Sequence, residues 1–222
     1  MMNRKIYIQI GVVLLVILVA AGFFYYQRII KPAVTLDNKG MVGIEGTGKF
    51  DVEEIPVPST NNISSIQPPN LDRPIDLSKS NMTADLQAVA KKRITELTSS
   101  LKNDPTSTDV WLSLAIYRKM INDFAAAEEI WVYLTKVQPG NFIPFNNLGD
   151  LYANYVKNTT KAEANYLQAI KLDPSQIFVY RNLYELYRYI LKDDTKAKAI
   201  LQQGIDRNPN TSKDLKFLLE NY

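Results

Sequence analysis

Cysteine and histidine are both absent from the 222 residues of this chain. Without cysteine there can be no disulfide, no thiolate metal site, no thiol nucleophile and no lipid-modified N-terminal cysteine. Without histidine the chain lacks the commonest general base and metal ligand, which excludes histidine-containing catalytic triads and histidine-based zinc sites. We therefore expect a protein that is not an enzyme and that binds neither a cofactor nor a metal ion.

The chain also lacks a strong charge of either sign. Its formal net charge is +3, and residues 83–222 carry 18 Lys or Arg against 16 Asp or Glu. A protein that binds a nucleic acid backbone presents a basic field, because it must replace the counterions of many phosphates. The balance of charge therefore predicts no nucleic acid partner.

A complete phosphate-binding loop is missing as well. Gly43, Gly48 and Lys49 nearly reproduce the glycine-rich loop that cradles phosphate, but Phe50 follows where serine or threonine would hold magnesium. The strand before such a loop and the helix after it are not indicated either. We interpret this stretch as a glycine-rich turn and expect no nucleotide.

One long hydrophobic run is present, at residues 6–26. It contains 21 residues without a formal charge, which as a helix would cross about 30 Å of hydrocarbon. Four aromatic residues at 23–26 form a belt typical of the membrane interface. The alternative is a cleavable signal peptide cut after residues 20–22, but the run is longer than a usual signal sequence. We predict a short cytoplasmic tail and transmembrane anchor at residues 1–30.

The membrane orientation rests on few charges. Arg4 and Lys5 precede the hydrophobic run, while Arg28, Lys31 and Lys39 follow it. Because positive charges flank the run on both sides, the positive-inside rule gives only a small preference. The charges before the run are concentrated in a very short tail, which favours a cytoplasmic N-terminus. We therefore expect a single-pass membrane protein whose remaining residues are extracytoplasmic.

Residues 31–82 have the composition of a linker. They hold six of the eleven prolines, together with many serines and asparagines, and they show no sustained helical period of apolar residues. Such a segment cannot bury enough apolar surface to fold by itself. The sequence predicts a mostly disordered tether, in which Leu71, Ile75 and Leu77 are placed to dock on the first helix.

A pattern of about 35 residues repeats three times after this linker. Each copy has an opening aromatic, an alanine that starts a second helix, and a proline twelve residues after that alanine. The three sets are Trp111, Ala127 and Pro139; Phe145, Ala162 and Pro174; and Tyr180, Ala197 and Pro209. Self-similarity at this period indicates stacked helix pairs.

Within each copy the apolar residues follow the helical period. In the second copy Phe145, Leu148, Gly149 and Tyr152 lie at i, i+3, i+4 and i+7. The second helices show the same spacing, with small residues at their ends and a large residue between them. Further apolar stripes predict a flanking helix at 83–107 and another at 212–222.

These residues resemble the tetratricopeptide repeat family. The copy at 145–174 matches best, through its aromatic, Leu-Gly, Tyr, Ala, aromatic, Ala and Pro positions. The resemblance implies an all-α, right-handed helical solenoid, with three repeats at 108–211 between the two flanking helices. Most of the clustered tyrosines then belong to the core, with Tyr189 as the exception.

The first copy departs from the family pattern at three positions. Ala115 replaces the glycine, Arg118 replaces the usual tyrosine, and Leu134 replaces the second small residue. The other two copies each carry one extra residue, which we place in the turns at 156–161 and 191–196 because a longer turn is tolerated at little cost.

The resemblance also implies where a ligand binds. In this family the first helices line a concave groove that accepts a peptide or a helical segment. The exposed first-helix residues are therefore the candidate contacts: Leu112, Ile116, Lys119, Asn146, Asp150, Asn154, Arg181, Glu185, Arg188 and Tyr189. Asparagine can donate to and accept from a peptide backbone, and arginine can hold a carboxylate with two bonds.

Recognition of chaperone C-termini is not expected. Family members that bind those acidic tails use a clamp of basic residues and asparagines. Here Leu112, Ile116 and Phe178 stand where most of that clamp would be, and only Asn147 matches it. An apolar groove entry instead suits a hydrophobic peptide or an amphipathic helix.

Three functional classes follow from the sequence. The first is a membrane-tethered scaffold that captures a segment of a partner protein in its groove. The second is a structural subunit of an envelope complex for secretion, pilus or cell-wall assembly, with its contacts on the convex faces. The third, catalysis, is weakest, because neighbouring carboxylates such as Glu128 and Glu129 point about 100° apart on a helix.

Overall fold

A computed structural model describes residues 66–222 of the chain. The predicted anchor at 6–26 and most of the predicted linker lie outside the described residues. The described part is all-helical, with eight α-helices and no strands. The helices are α1 Ala84–Asn103, α2 Thr108–Met120, α3 Phe124–Val137, α4 Phe142–Asp150, α5 Thr159–Leu172, α6 Ile177–Glu185, α7 Asp194–Arg207 and α8 Lys213–Glu220. Within residues 66–222, no helix combines the length and the apolar character that a membrane crossing requires.

Helices α2 to α7 form three consecutive hairpins, one for each sequence repeat. Repeat 1 is α2 with α3, repeat 2 is α4 with α5, and repeat 3 is α6 with α7. Each helix packs mainly against its neighbours in chain order. The opening aromatic of each repeat is buried, and so is the alanine in the first turn of each second helix. The apolar period seen in the sequence therefore marks the packing surfaces of the hairpins.

The same turn joins the two helices of each repeat. Its residues at 122, 157 and 192 have φ values of 63°, 62° and 59°, in the left-handed region. The next residue, Asp123, Asn158 or Asp193, accepts a hydrogen bond from the backbone N–H three positions later and so caps the second helix. This turn ends the first helix and starts the second at a fixed spacing in all three repeats.

The extra residue of repeats 2 and 3 is not in the turn. Helices α4 and α6 continue as π-helix over Leu151–Val156 and Leu186–Leu191, while the left-handed residue and the cap after it keep the spacing to the second helix that they have in repeat 1. The placement of the extra residue at 156–161 and 191–196 was therefore wrong. A wider helical turn absorbs one inserted residue without changing the cap that follows it.

A recurring contact holds successive repeats together near these turns. Tyr152 of repeat 2 donates to Glu128 of repeat 1 at 2.6 Å, and Tyr187 of repeat 3 donates to Glu163 of repeat 2 at 2.8 Å. A lysine from the start of the second helix joins each pair, since Lys161 lies 3.7 Å from Glu128 and Lys196 lies 2.8 Å from Glu163. The starts of α3, α5 and α7 are therefore side by side.

Residues 66–82, here called the N-terminal strap, contain no helix or strand but pack against the helices. Leu71, Ile75 and Leu77 pack against the hydrophobic core, and Pro69 is buried. Lys102 of α1 also pairs with Asp72 of the strap at 2.6 Å. This last part of the predicted linker is therefore part of the folded unit and not a free tether.

Arg118, which departs from the repeat pattern, holds the strap in place. Its side chain is 3 % exposed, and its guanidinium donates to the carbonyl oxygens of Arg73 and Pro74 at 2.8 Å each. Asp123 accepts from both Arg118 and Arg73 at 3.1 Å. The tyrosine of later repeats contacts the repeat before it, whereas Arg118 contacts the strap at the same position of repeat 1.

Candidate partner-binding face

The first helices of the three repeats, α2, α4 and α6, share one outward surface, which we call the first-helix face. Polar contacts connect it from helix to helix. Lys119 of α2 pairs with Asp150 of α4 at 2.7 Å, and Asn154 donates to the second oxygen of the same carboxylate at 2.8 Å. Both ionic side chains are about one-quarter to one-third exposed. Three predicted groove residues are thus assembled into one ion-paired cluster.

An asparagine pair continues this line onto the third repeat. Asn182 of α6 donates its amide to the side-chain oxygen of Asn146 of α4 at 3.0 Å. Asn146 in turn donates to Asn147 at 3.5 Å, a long bond. Both residues of the inter-helix pair are partly exposed. Amide groups remain available there, because each asparagine offers two donors and an acceptor with two lone pairs.

Sequence reasoning missed Asn182. It lies 35 residues after Asn147, so the period alone placed it on the same face. The signal was therefore present, but Asn182 was passed over in favour of its neighbour Arg181. In the structure Asn182 makes the side-chain hydrogen bond from α6 to α4.

The remaining predicted contacts fall into different surroundings. Ile116 is 44 % exposed on α2, whereas Leu112 is partly buried against the core. Arg181 and Glu185 lie 4.0 Å apart and are about half exposed, an arrangement usual for a solvated pair on one helix. These two side chains flank the asparagine pair without bonding to it.

Arg188 and Tyr189 lie on the π-helical end of the first helix of repeat 3. The structure does not bring Arg188 to the asparagine pair, since it contacts Asp194 at the start of α7 and lies 4.2 Å from the ring centre of Tyr222. Tyr189 is 58 % exposed and meets Tyr184 edge to face at 6.0 Å. Tyr189 is outside the core, as expected, and so is Tyr155, which is 45 % exposed.

The carboxylates that could suggest catalysis have structural contacts. Glu128 accepts from Tyr152, and Glu129 lies 3.7 Å from Arg73. Asp193 caps α7, while Asp194 binds Arg188. No group of three or more acidic side chains among residues 66–222 is arranged to hold a metal ion. These four carboxylates are therefore engaged in capping, ion pairing and inter-repeat contacts.

Burial controls the ionisation of the inter-repeat tyrosines. Burial, followed by the hydrogen bond to Glu163, raises the pKa of Tyr187 well above its usual value of 10.0. The same causes, with Glu128 as the acceptor, raise the pKa of Tyr152. Both hydroxyls stay protonated at neutral pH and act as donors between repeats.

Comparison with known proteins does not assign a family. No protein-family model matches the chain, and no curated protein is significantly similar to it.

Proposed function

We propose that this chain is a non-catalytic, membrane-tethered scaffold with a tetratricopeptide-like helical solenoid that binds a segment of a partner protein. The carrying observation is the polar line across all three first helices, from Lys119 and Asp150 to Asn146 and Asn182. When a binding groove is made by separate helices, its polar groups must be held at fixed positions relative to one another. The inter-helix contacts provide such a constraint. The hairpins packed in chain order support the solenoid geometry.

The chemistry of the line favours a peptide main chain as the ligand. Side-chain amides donate and accept together, so Asn146 and Asn182 match the alternating N–H and C=O groups of an extended or frayed helical segment. Ile116 at 44 % exposure and the partly buried Leu112 add an apolar contact on repeat 1. A partner with apolar side chains on one side and an accessible backbone satisfies both features.

A site-specific crosslink tests this proposal. A photoreactive residue at Ile116 captures the bound segment from native membranes, and Asn146→Ala with Asn182→Ala abolishes that crosslink. Gln202 of α7 is exposed and bonds only to Asp206 in the same helix, so Gln202→Ala is the matched control. The proposal fails if the double variant crosslinks like the wild type, or if a photoreactive residue at Gln202 captures the same protein with equal yield.

The membrane tether is proposed from residues 6–26 and has its own test. Alkaline extraction should leave the full chain in the membrane pellet. High pH disrupts the charge contacts of peripheral proteins, but a spanning helix is held by apolar contact with the bilayer. The chain has no cysteine, so Thr160→Cys provides a single thiol in the repeats. Its reaction with a membrane-impermeant reagent on intact cells supports extracytoplasmic repeats, whereas reaction only after lysis reverses the orientation.

One observation favours a second function, a fixed structural subunit of an envelope complex. Leu86 and Val89 are 46 % and 50 % exposed, and their i, i+3 spacing places them on one side of α1. An assembly contact through the N-terminal helix would cover them. In that case Leu86→Ser with Val89→Ser disrupts the complex, while the asparagine variants leave it intact.

A further inference from the structure

Exposed apolar side chains recur at one position of every repeat. Met120, Tyr155 and Ile190 are spaced by 35 residues and are 44 %, 45 % and 39 % exposed. The next position adds Val156 and Leu191, at 43 % and 38 %. Large apolar side chains are usually buried in a folded protein. Their exposure at the same position of every repeat therefore indicates a surface that contacts another apolar phase or molecule.

These side chains lie along a single edge of the molecule, here called the turn edge. Met120, Tyr155 and Ile190 lie two positions before the left-handed residue that joins the two helices of their repeat, and Val156 and Leu191 lie one position before it. The rings of Tyr155 in repeat 2 and Phe124 in repeat 1 are 4.8 Å apart. The contacts from Lys161 to Glu128 and from Lys196 to Glu163 keep the three turns adjacent.

Positive charge accompanies the apolar side chains. Lys157 and Lys192 are the left-handed turn residues of repeats 2 and 3, and both are exposed. Neither forms an ion pair with another of the residues 66–222. At the turn of repeat 1, Asn122 donates to the carbonyl oxygen of Lys79 at 2.7 Å and so places that strap residue at the same edge.

The acidic groups near the turn edge are already paired. Asp123 binds Arg118 and Arg73, Asp193 caps α7, and Asp194 binds Arg188. The edge therefore combines aliphatic side chains, an aromatic residue and unpaired lysines. This combination is typical of surfaces that rest at the boundary between lipid headgroups and acyl chains.

We propose that the turn edge docks on a membrane surface containing anionic lipids. Met120, Tyr155 and Ile190 enter the interfacial region, and Lys157 and Lys192 extend toward the headgroups. A purely apolar partner helix would not use the lysines, whereas an anionic bilayer satisfies both parts of the edge.

The length of chain outside the described residues permits this contact. The predicted span ends at residue 26, and residues 27–65 are 39 residues, which as a flexible coil would reach about 35 Å. That distance allows the repeats to lie against the bilayer. The turn edge adjoins the groove proposed above, since Lys119 of the polar line lies 5.5 Å from the ring centre of Tyr155, but the lipid contact uses the apolar side chains and turn lysines and not that line.

Lipid contact is measured on the full chain with single-cysteine reporters. Thr160→Cys places a fluorophore at the turn edge, and Gly140→Cys places one in the turn between repeats, at the other end of α3. The control position is free of strain because a Cβ at Gly140 meets nothing within 4 Å. The chain is reconstituted in phosphatidylcholine vesicles with or without phosphatidylglycerol, and nitroxide-labelled lipid serves as the quencher.

We expect strong quenching at residue 160 and little at residue 140 when phosphatidylglycerol is present. Tyr155→Gln with Ile190→Gln should reduce the quenching at residue 160 severalfold. Lys157→Asn with Lys192→Asn should remove its dependence on phosphatidylglycerol, and asparagine tolerates the left-handed backbone of those turns. Unchanged helical circular dichroism shows that the variants remain folded.

Equal quenching at the two reporters, or none at either, overturns the proposal. So does a protein crosslink in native membranes that requires Tyr155 and Ile190 while residue 160 shows no lipid quenching, because the edge then contacts a protein. Flotation with neutral vesicles reports the tether and quenching reports the turn edge. The two proposals therefore fail separately.

Discussion

The hydroxyl of Tyr187 donates to Glu163 at 2.8 Å, and the same bond recurs 35 residues earlier between Tyr152 and Glu128. Each tyrosine belongs to one repeat and each glutamate to the repeat before it. The bond therefore acts between repeats and fixes their spacing near the C-terminal end of the first helix. At the end of the chain Tyr222 has the same position in the period, and there its hydroxyl binds Asp194 at 2.9 Å.

Removing the Tyr187 hydroxyl should destabilise the contact between repeats 2 and 3. We expect Tyr187→Phe to lower the free energy of unfolding by about 1 to 2 kcal/mol, because the partly buried Glu163 loses a donor but keeps Lys196. Urea denaturation measures the change. Tyr155→Phe removes an exposed hydroxyl from the same fold and is the matched control; an equal loss in both variants contradicts the prediction.

Alkaline pH should weaken the same contacts. The pKa of Tyr187 and of Tyr152 is raised in the folded chain above the usual value of 10.0. As the pH rises past about 10, the unfolded chain releases these protons while the folded chain retains them, so stability falls with pH. Thermal melts from about pH 8 to about pH 11 measure the slope.

The slope should be shallower in Tyr187→Phe, because one proton difference between the folded and unfolded states has been removed. A slope that is identical in wild type and Tyr187→Phe would show that this tyrosine does not govern the alkaline loss.

The helical repeats could be predicted because burial imposes a period on the sequence. Phe145, Leu148, Gly149 and Tyr152 were expected on one helical stripe, and all four are buried. Local spacing was sufficient there, since residues three and four apart on a helix share a face. The end of each second helix followed from its proline. Its start was placed at an alanine, but each helix begins three residues earlier, because the residue before it caps the helix.

Features that depend on contacts distant in sequence could not be predicted. Arg118 was seen as a departure from the repeat, but its bonds to Arg73 and Pro74 cross more than 40 residues of chain. The π-helical segments were missed because an inserted residue can be accommodated by a wider helical turn or by a longer loop. The local sequence does not distinguish these two outcomes. The pairing of Asn182 with Asn146 likewise needs the packing of α6 on α4.

Loss of Arg118 should release the N-terminal strap. We expect Arg118→Met to lower the free energy of unfolding by about 2 to 3 kcal/mol, since two carbonyl oxygens and Asp123 lose a buried cationic donor. Trypsin cleavage after Lys79 should accelerate as the strap detaches. Arg93 is about half exposed and pairs with Glu96, so Arg93→Met should change stability by only about 0.5 kcal/mol. Equal protease resistance in wild type and Arg118→Met would contradict the assigned role.

Gly149 allows α4 to approach the ring of Tyr166. A Cβ at this position would lie 2.6 Å from two ring carbons, and that ring is 2 % exposed. The overpacking costs about 1 to 3 kcal/mol, while alanine gains about 1 kcal/mol in helix propensity. We therefore expect Gly149→Ala to destabilise the chain by about 1 kcal/mol in chemical denaturation. Gly140→Ala, where a Cβ meets nothing within 4 Å, should be nearly neutral, and a stabilised Gly149→Ala would be inconsistent with this packing.

The π-helical end of α4 implies that repeat 2 tolerates the loss of one residue at one place. From the opening aromatic to the left-handed turn residue there are 11 positions in repeat 1, from Trp111 to Asn122, and 12 in repeat 2, from Phe145 to Lys157. Deleting Asn154, which is exposed within the π-helical segment, should give repeat 2 the α-helical form that repeat 1 already has. Tyr155 and Lys157 then take the positions of Met120 and Asn122.

The expected cost of that deletion is about 1 kcal/mol, mainly from the lost bond between Asn154 and Asp150. Deleting Asn147 is the matched control, because it also removes one asparagine. This deletion rotates the segment from Leu148 to Tyr152 by about 100° relative to Phe145 and so exposes buried side chains. Urea denaturation and circular dichroism should therefore show a folded chain for the first deletion and a severe loss for the second. Equal losses would mean that the wide turn is required by the packing of repeat 2 and is not an absorbed insertion.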